Sequence, residues 1–461
     1  MILTGCTPES SSQNKAIPPH TLAPQTINLS QVLWWKKMHD PVLNELIDRA
    51  LTNNNQILEA QANVLQAQAQ LKAAYNAWLP TVNASANVFW AKGWDTKLTP
   101  EGALQNLSLA RVNNLKINGD YAGFVPSYSL NLLENINNTR LAKASLAMQR
   151  ATYMSLRLSI ISQTVGSYFT LLGQKQQLIE QEQLIEDLKK LRHLEKVRYK
   201  DGASDYSSLA NIDQQIAGNR AIISSLHGSM SQVENSLQLL IGHDPGPIVT
   251  HKTINSLTTK NLIPAHLPAQ VLENRPDLMI AKEQLIMSDA HLGLAYSRFF
   301  PQISLTGLLG GSSIELVHLL KLSTGLGLAQ LAAVMPIFNG VLYQQILAAK
   351  AGVKATYYNY LQTLRAALVD VDTSLIKHKK AEEAYTYQLQ AYHAAQRASR
   401  ILTARYKAGF QDRRVAMNAQ LNVDQAKITL TQAKMEQLNS IVITYQALAG
   451  GYQIKDKDDI I

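Results

Sequence analysis

The sequence predicts a mainly α-helical, internally duplicated protein in which each copy also contributes a few β-strands. Three observations support this fold class. The chain matches itself at a fixed offset, long proline-free stretches carry heptads of apolar residues, and short stretches alternate apolar with polar residues. With 461 residues, of which 46% are apolar, the chain is long enough to bury a sizeable core.

The internal repeat defines the predicted domains. A shift of 221 residues places Pro80 on Pro301, and a shift of 207 residues places Arg198-Tyr199-Lys200 on Arg405-Tyr406-Lys407. The first copy is therefore 14 residues longer, within the loop between its strands. The predicted organisation is an N-terminal tether (1–30), a first repeat (31–242, strands at about 81–132 and a helical hairpin at about 133–242), a linker (243–266), a second repeat (267–450, strands at about 302–337 and a hairpin at about 338–449) and a C-terminal tail (451–461).

Helices account for most of each copy. No proline lies between Pro126 and Pro245 or after Pro336, and only a Tyr-Lys-x-Gly turn interrupts each of these runs. The 70 residues from Asn131 to Lys200 predict a helix about 105 Å long at about 1.5 Å per residue. Apolar residues at heptad spacing predict that one narrow stripe packs: Leu184, Leu188, Leu191 and Leu194 before the turn, and Ile216, Ile223, Leu226, Met230, Val233, Leu237 and Leu240 after it.

Two strands are predicted in each copy. Val82, Ala84, Ala86 and Val88 alternate with polar residues, and the second copy repeats this alternation from Ile303. Trp90 and Trp94 follow the first strand, as in an aromatic girdle at a membrane interface. A small soluble hairpin sheet is the alternative, but four short strands with little else to cover them favour a shared barrel.

Charge and cysteine content limit the function classes. The net charge is +9, but no run of lysine and arginine is interleaved with aromatic residues, so no nucleic-acid partner is expected. Cys6 is the single cysteine and follows Leu3-Thr4-Gly5, a setting typical of a lipoprotein attachment site. We therefore predict a lipid anchor at Cys6, with a free thiol in a tail as the alternative.

The sequence contains no recognisable catalytic chemistry. It lacks the GxSxG, P-loop, HExxH and CxxC motifs, which predicts neither an enzyme nor a cofactor. The closest approach to a metal cluster is His378 with Glu382 and Glu383, a spacing that more often lies on a solvated helix face. No metal site is predicted.

Several segments together carry a family resemblance that spans about Trp34 to Gly450. They are Trp34-Trp35, Asp40-Pro41-Val42-Leu43, Asn274-Arg275-Pro276-Asp277, Phe299-Phe300-Pro301-Gln302, Pro336-Ile337-Phe338-Asn339-Gly340 and the two Arg-Tyr-Lys-x-Gly turns. The chain resembles the TolC-like outer-membrane efflux family, in the lipoprotein branch that serves resistance-nodulation-division multidrug pumps. This resemblance implies a homotrimer with a twelve-stranded transmembrane β-barrel, a long periplasmic α-helical barrel and an equatorial belt.

The function implied by the resemblance is that of a passive exit duct. The chain would lie in the outer membrane of a Gram-negative bacterium, in contact with outer-membrane lipid. It would conduct drugs or other small molecules delivered by an inner-membrane resistance-nodulation-division pump through a periplasmic adaptor protein. The expected adaptor contacts at the periplasmic tip are Arg198, Tyr199, Lys200, Gly202, Arg405, Tyr406, Lys407 and Gly409.

The tip is also where the resemblance places a gate. The family commonly has an acidic residue nine positions after the second turn glycine; this chain has Asn418 there and Asn211 at the equivalent position of the first copy. Asp412, Arg413 and Arg414 lie nearby and complete the gate candidates. An uncharged ring would hold cations less tightly, and the arginines could favour anions. The alternative is that these residues only cap and pair helices at a tight turn.

Two other functions remain open from the sequence. A channel for type I protein secretion would have the same fold, and genes for an adaptor and a pump beside this one would decide between the two. A cytosolic coiled-coil scaffold would explain the heptads, but it leaves unexplained the alternating strands at matching positions in both copies.

Overall fold

A computed structural model describes residues 32–92, 116–258, 262, 274–313 and 325–452. In chain order the elements are α1 (Pro41–Asn53), α2 (Asn55–Asn76), β1 (Thr81–Lys92), β2 (Lys116–Ser129), α3 (Leu132–Lys200), α4 (Tyr206–Leu240), α5 (Pro276–Ser297), β3 (Gln302–Ser313), β4 (Gly325–Val334), α6 (Gly340–Lys407) and α7 (Arg413–Ala447). The predicted anchor Cys6, the girdle residue Trp94 and residues 453–461 of the C-terminal tail lie outside the described residues.

The two copies have the same elements in the same order. Helices α2 and α5 each have 22 residues, α4 and α7 each have 35, and α3 and α6 have 69 and 68. At 1.5 Å per residue α3 is roughly 100 Å long. The predicted duplication and the mainly helical fold class are therefore confirmed. Among the described residues, no helix is both long and apolar enough to cross a membrane.

The four strands form one antiparallel sheet in the order β1-β2-β3-β4. The two copies meet where β2 pairs with β3, and Phe124 lies opposite Leu309 there. At the base of this pair, the Leu130 N–H donates to the Ile303 carbonyl at 2.8 Å. Strands β1 and β4 are the outer strands, so within the chain each pairs along one side only.

In each copy the start of one shorter helix, α2 or α5, meets the end of the helix that completes the hairpin, α4 or α7. Asn54 caps α2, and its side-chain amide donates to the carbonyl of Leu240, the last residue of α4, at 2.9 Å. Arg275 occupies the equivalent position of the second copy, and its guanidinium donates to the carbonyl of Ala447, the last residue of α7, at 2.8 Å. The duplication thus preserves a helix junction while its chemistry changes from an amide to a guanidinium.

The largest apolar core surrounds the middle of α3 and the C-terminal half of α7. Trp34 stacks on Tyr445 with ring centroids 4.6 Å apart. Asp40, which is fully buried, caps α1 and accepts the Tyr168 hydroxyl at 2.7 Å. Ile254 of the linker also belongs to this core. The N-terminal segment and the linker therefore wrap the long helices near their middle, which accounts for the belt that the resemblance implied.

A second apolar core lies nearer the turns. It joins the predicted heptad residues Leu184, Leu188 and Leu191 of α3 to Ile216 of α4, and it also includes Ile428 of α7. The first copy's hairpin and the second copy's α7 thus share one seam. That seam positions the two turns beside each other.

Candidate functional site at the helical tip

Two tight turns close the helical hairpins at the end of the molecule far from the strands. Gly202 and Gly409 have φ angles of 71° and 81°, a conformation in which a Cβ atom is strained. Asp205 caps α4 and Asp412 caps α7, each by accepting a backbone N–H from the first turn of its helix, at 2.9 and 2.7 Å. The two turns are therefore chemically equivalent.

Most side chains around these turns are exposed. Phe410 is 84% exposed, and the rings of Tyr199 and Tyr206 meet edge to face with centroids 6.1 Å apart. Of the predicted adaptor contacts, Arg198 is half-buried, and the others are exposed: Tyr199, Lys200, Gly202, Arg405, Tyr406, Lys407 and Gly409. Exposed aromatic residues are typical of an interaction site, so this end of the molecule is a candidate docking surface.

Four charged residues join the two hairpins beside the turns; we call Glu195, Arg198, Asp412 and Arg414 the tip clamp. The Arg198 guanidinium donates to the Asp412 carboxylate at 2.6 Å, which links the end of α3 to the start of α7. The Glu195 carboxylate lies 3.8 Å from the Nε atoms of both Arg198 and Arg414. Ser204 also donates its hydroxyl to Glu195 at 2.8 Å.

The tip clamp includes two of the gate candidates. Asp412 both caps α7 and pairs with Arg198, as the capping alternative describes, and Arg414 faces Glu195. The backbone N–H of Arg414 and the Arg198 guanidinium hold the pKa of Asp412 below its ordinary value. Asn211, Arg413 and Asn418 are exposed and lie outside the clamp. Within the described residues, neither asparagine makes a side-chain hydrogen bond, so the chain itself does not bring them to the clamp.

The sequence analysis missed Glu195, although it is only 1% exposed. A signal was present, because Glu195 follows Leu188 and Leu191 at the heptad spacing of the buried stripe. A carboxylate at such a position is buried unless the helix ends first. Burial of a charge is costly unless it is paired, and here two arginines lie beside it.

A second acidic site lies farther from the turns, on the same seam. Asp187 of α3 and Asp424 of α7 face each other across the seam closely enough for each to shift the pKa of the other, and Asp424 is 6% exposed. Lys190 donates to Asp187 at 2.6 Å and Gln420 donates to Asp424 at 3.0 Å. Burial and the neighbouring Asp187 carboxylate raise the pKa of Asp424 to about 6. Burial also opposes ionisation of Asp187, but the combined hydrogen bonds, led by that from Lys190, hold its pKa below the ordinary value.

His378 is not on a solvated helix face, so that interpretation of the sequence was wrong. It is half-buried against α7, where its Nδ1 lies 2.9 Å from the Ser440 hydroxyl. Burial lowers the pKa of His378. The part of the chain that the structure describes contains no group of three or more His, Cys, Asp or Glu residues able to hold a metal ion.

The fold and the tip together define the class of protein. Strands lie at one end of helices roughly 100 Å long, a belt surrounds their middle, and two equivalent turns close the other end. These are the parts of a subunit of an elongated helical duct with a separate strand region.

Comparisons with known proteins agree with this class. The chain is 25% identical over 426 residues to the probable efflux pump outer membrane protein TtgC of Pseudomonas putida, covering 91% of this chain and 85% of that protein. It is 26% identical over 475 residues to the cation efflux system protein CusC of Escherichia coli, covering 98% and 97%. The CmeC outer membrane channel of Campylobacter jejuni superposes with a TM-score of 0.80 at 25% identity, covering 95% and 94%.

The outer membrane efflux protein family matches residues 46–243 and 267–450, which include both copies. The chain belongs to this family. It is an outer-membrane channel of an efflux pump of a Gram-negative bacterium, and a large part of it lies in the periplasm.

Proposed function

We propose that three copies of the chain form the channel, and that the tip turns receive a periplasmic adaptor protein. The observation that carries this proposal is the position of the strands and the two turns at opposite ends of α3 and α6. With the strands in the outer membrane, helices of roughly 100 Å would carry the turns far across the periplasm. An adaptor and an inner-membrane pump of the resistance-nodulation-division type would meet the duct there.

The trimer is supported by surfaces that the single chain leaves uncovered. The outer edges of β1 and β4 are unpaired within the chain, and joining subunits edge to edge would pair them. Helix α6 exposes large apolar side chains along its length: Val341, Tyr343, Leu347, Tyr357, Tyr358, Leu368, Val369, Ile376 and Tyr387. Large exposed apolar side chains repeated along a long helix are typical of a protein interface.

The membrane end and the tip would have separate roles. Cys6 would carry a lipid anchor in the outer membrane, and no cofactor is needed for passive conduction. At the tip, Tyr199, Tyr206 and Phe410 offer an apolar surface for the adaptor. The tip clamp would hold the two hairpins of each subunit together while the channel is closed, and Asn418 would face the constriction.

Single-channel recording in planar bilayers tests this proposal. The wild-type protein should be trimeric by native mass and should show discrete openings. Asp412→Asn should increase the open fraction, because asparagine keeps the helix cap but loses the charge that pairs with Arg198. A trimeric protein that conducts neither as wild type nor as this variant would contradict the channel proposal.

A pair of matched variants locates the constriction. Asn418→Asp on α7 should increase selectivity for cations, because it would add a ring of carboxylates to the pore. Asn211→Asp on α4 makes the same change at the equivalent position of the first copy. If only the second variant changes selectivity, the constriction is lined by α4 and the assignment of Asn418 is wrong.

A further inference from the structure

The contact between the two copies has a counterpart that the single chain leaves unsatisfied. Arg198 at the end of α3 pairs with Asp412 at the start of α7 at 2.6 Å. The equivalent residues, at the repeat offset of 207, are Arg405 at the end of α6 and Asp205 at the start of α4. Both residue types are present, yet neither side chain has an ion-pair partner among the described residues.

The same relationship appears at the other end of the long helices. Leu130 after β2 donates its N–H to the carbonyl of Ile303 in β3. The equivalents are Ile337 after β4, which is 98% exposed, and Val82 in the outer strand β1, which is 63% exposed. At both ends, therefore, a contact from the first copy to the second is made, whereas the contact from the second copy to a first copy is missing.

A head-to-tail contact of this kind closes into a ring when its rotation permits, and the next subunit then supplies the missing partner. In the proposed trimer, the second copy of one subunit would face the first copy of its neighbour. The surface on which Asp412 meets Arg198 within the chain would be repeated by the surface on which Asp205 meets Arg405 between chains.

On the basis of the proposed trimer, we propose that Arg405 of each subunit forms an ion pair with Asp205 of the neighbouring subunit. The pairs Arg198–Asp412 and Arg405–Asp205 then alternate around the tip, one within a subunit and the next between subunits. At the strand end, the Ile337 N–H donates to the Val82 carbonyl of the neighbouring subunit. The interface partner is therefore a second copy of this chain in a defined register.

The junction within a subunit and the junction between subunits differ in the charged residues that surround the ion pair. The positions equivalent to Glu195 and Arg414 are Leu402 and Ser207, so the junction between subunits lacks the buried carboxylate and its second arginine. Within the chain, the buried Glu195 carboxylate lies beside both arginines of the tip clamp. The junction between subunits would have the Arg405–Asp205 ion pair without that additional charged contact.

Thiol cross-linking of the full-length protein tests the register. In a Cys6→Ser background, Arg405→Cys with Asp205→Cys is treated with a short bis-maleimide, because an Arg–Asp pair holds its Cβ atoms farther apart than a disulfide allows. Covalent dimers and trimers are expected on a denaturing gel. The matched control, Arg198→Cys with Asp412→Cys, should cross-link within one chain and stay at monomer mass, and each single-cysteine variant should stay unlinked.

Native mass separates the two ways in which this test can fail. If the double-cysteine protein is trimeric by native mass but remains at monomer mass on the denaturing gel after cross-linking, the proposed register is wrong and the trimer is supported. If the protein is monomeric by native mass, both the proposed trimer and the proposed register are wrong. Arg405→Lys provides a second test that keeps the positive charge. A carbodiimide should join the introduced amine to the Asp205 carboxylate and give a linked peptide in the dimer band, and adding Asp205→Asn should abolish that peptide.

Discussion

The buried carboxyl pair between α3 and α7 makes the stability of the helices depend on pH. We expect Asp424→Asn to leave stability unchanged near pH 4 and to increase it above pH 6. Asparagine resembles the protonated carboxyl in size and cannot ionise, and it can keep the hydrogen bond with Gln420. The variant thus removes the cost of placing a second negative charge beside Asp187.

The magnitude follows from the pKa of Asp424, which rises from 3.8 to about 6 because of burial and the Asp187 carboxylate. Each change of one in pKa corresponds to about 1.4 kcal/mol, so the rise corresponds to about 3 kcal/mol per subunit. Below pH 3.8 both the folded and the unfolded chain hold the proton. Between about pH 4 and pH 6 the unfolded chain loses it first, so the wild-type protein loses this stability as the pH rises.

Thermal unfolding, followed by the helical circular dichroism signal at several pH values from 4 to 7.5, measures the effect. The quantity to compare is the difference between the variant and the wild type, because Glu180 and His378 also titrate and affect both proteins alike. Asp213→Asn is the control, since Asp213 is exposed and pairs with Arg192 outside the seam. If Asp424→Asn is no more stable than wild type at pH 7.5, or gains as much at pH 4, the two carboxyls do not share a proton.

Two further predictions concern helix packing and are also measured by thermal unfolding. Arg275→Ala should destabilise the second copy by about 1–3 kcal/mol, because it leaves the buried Ala447 carbonyl without its donor. Asn54→Ala should destabilise the equivalent junction of the first copy by about 1 kcal/mol. Equal stability of both variants and the wild type would contradict the role of these junctions. Gly173→Ala should destabilise α3, because the new Cβ would lie 2.6 Å from the Met435 sulfur, whereas Gly166→Ala has room and should gain up to about 1 kcal/mol from helix propensity. A gain from both glycine variants would show that Met435 moves aside freely.

The sequence predicts the fold well because its signals are repeated. The turns at Gly202 and Gly409 share one sequence pattern, so the prediction of each turn supports the prediction of the other. The heptad stripe that contains Leu188 marks the buried face of α3 directly. Long uninterrupted helices leave few alternatives for chain direction. Residue pairings between the copies could not be predicted in the same way. Asp187 and Asp424 are far apart in sequence, and only the packing of α3 on α7 brings them together.

The roles of the tip residues show where sequence reasoning stops. The sequence predicts Asp412 as a gate candidate or a helix cap, and in the structure it caps α7 and links to Arg198, while its role in a gate stays a prediction. Sequence alone gives both interpretations, because an acidic residue at the start of a helix is a good cap and is equally able to form an ion pair. Deciding between them requires the position of α3, which the seam holds against α7 although Arg198 and Asp412 are 214 residues apart in the chain.

The buried acids are distributed unevenly along α3, and this distribution bears on the proposed opening of the tip. In the belt, α3 packs through apolar and aromatic residues such as Tyr168 and Phe169, which are fully buried. Toward the tip, Glu180, Asp187 and Glu195 interrupt the apolar stripe, and each is at most 9% exposed. Replacing apolar side chains with buried carboxylates weakens packing unless every charge keeps its partner. The packing of α3 on its neighbours is therefore strongest in the belt. Toward the tip, where the proposed gate would have to separate the hairpins, that packing depends most on paired charges.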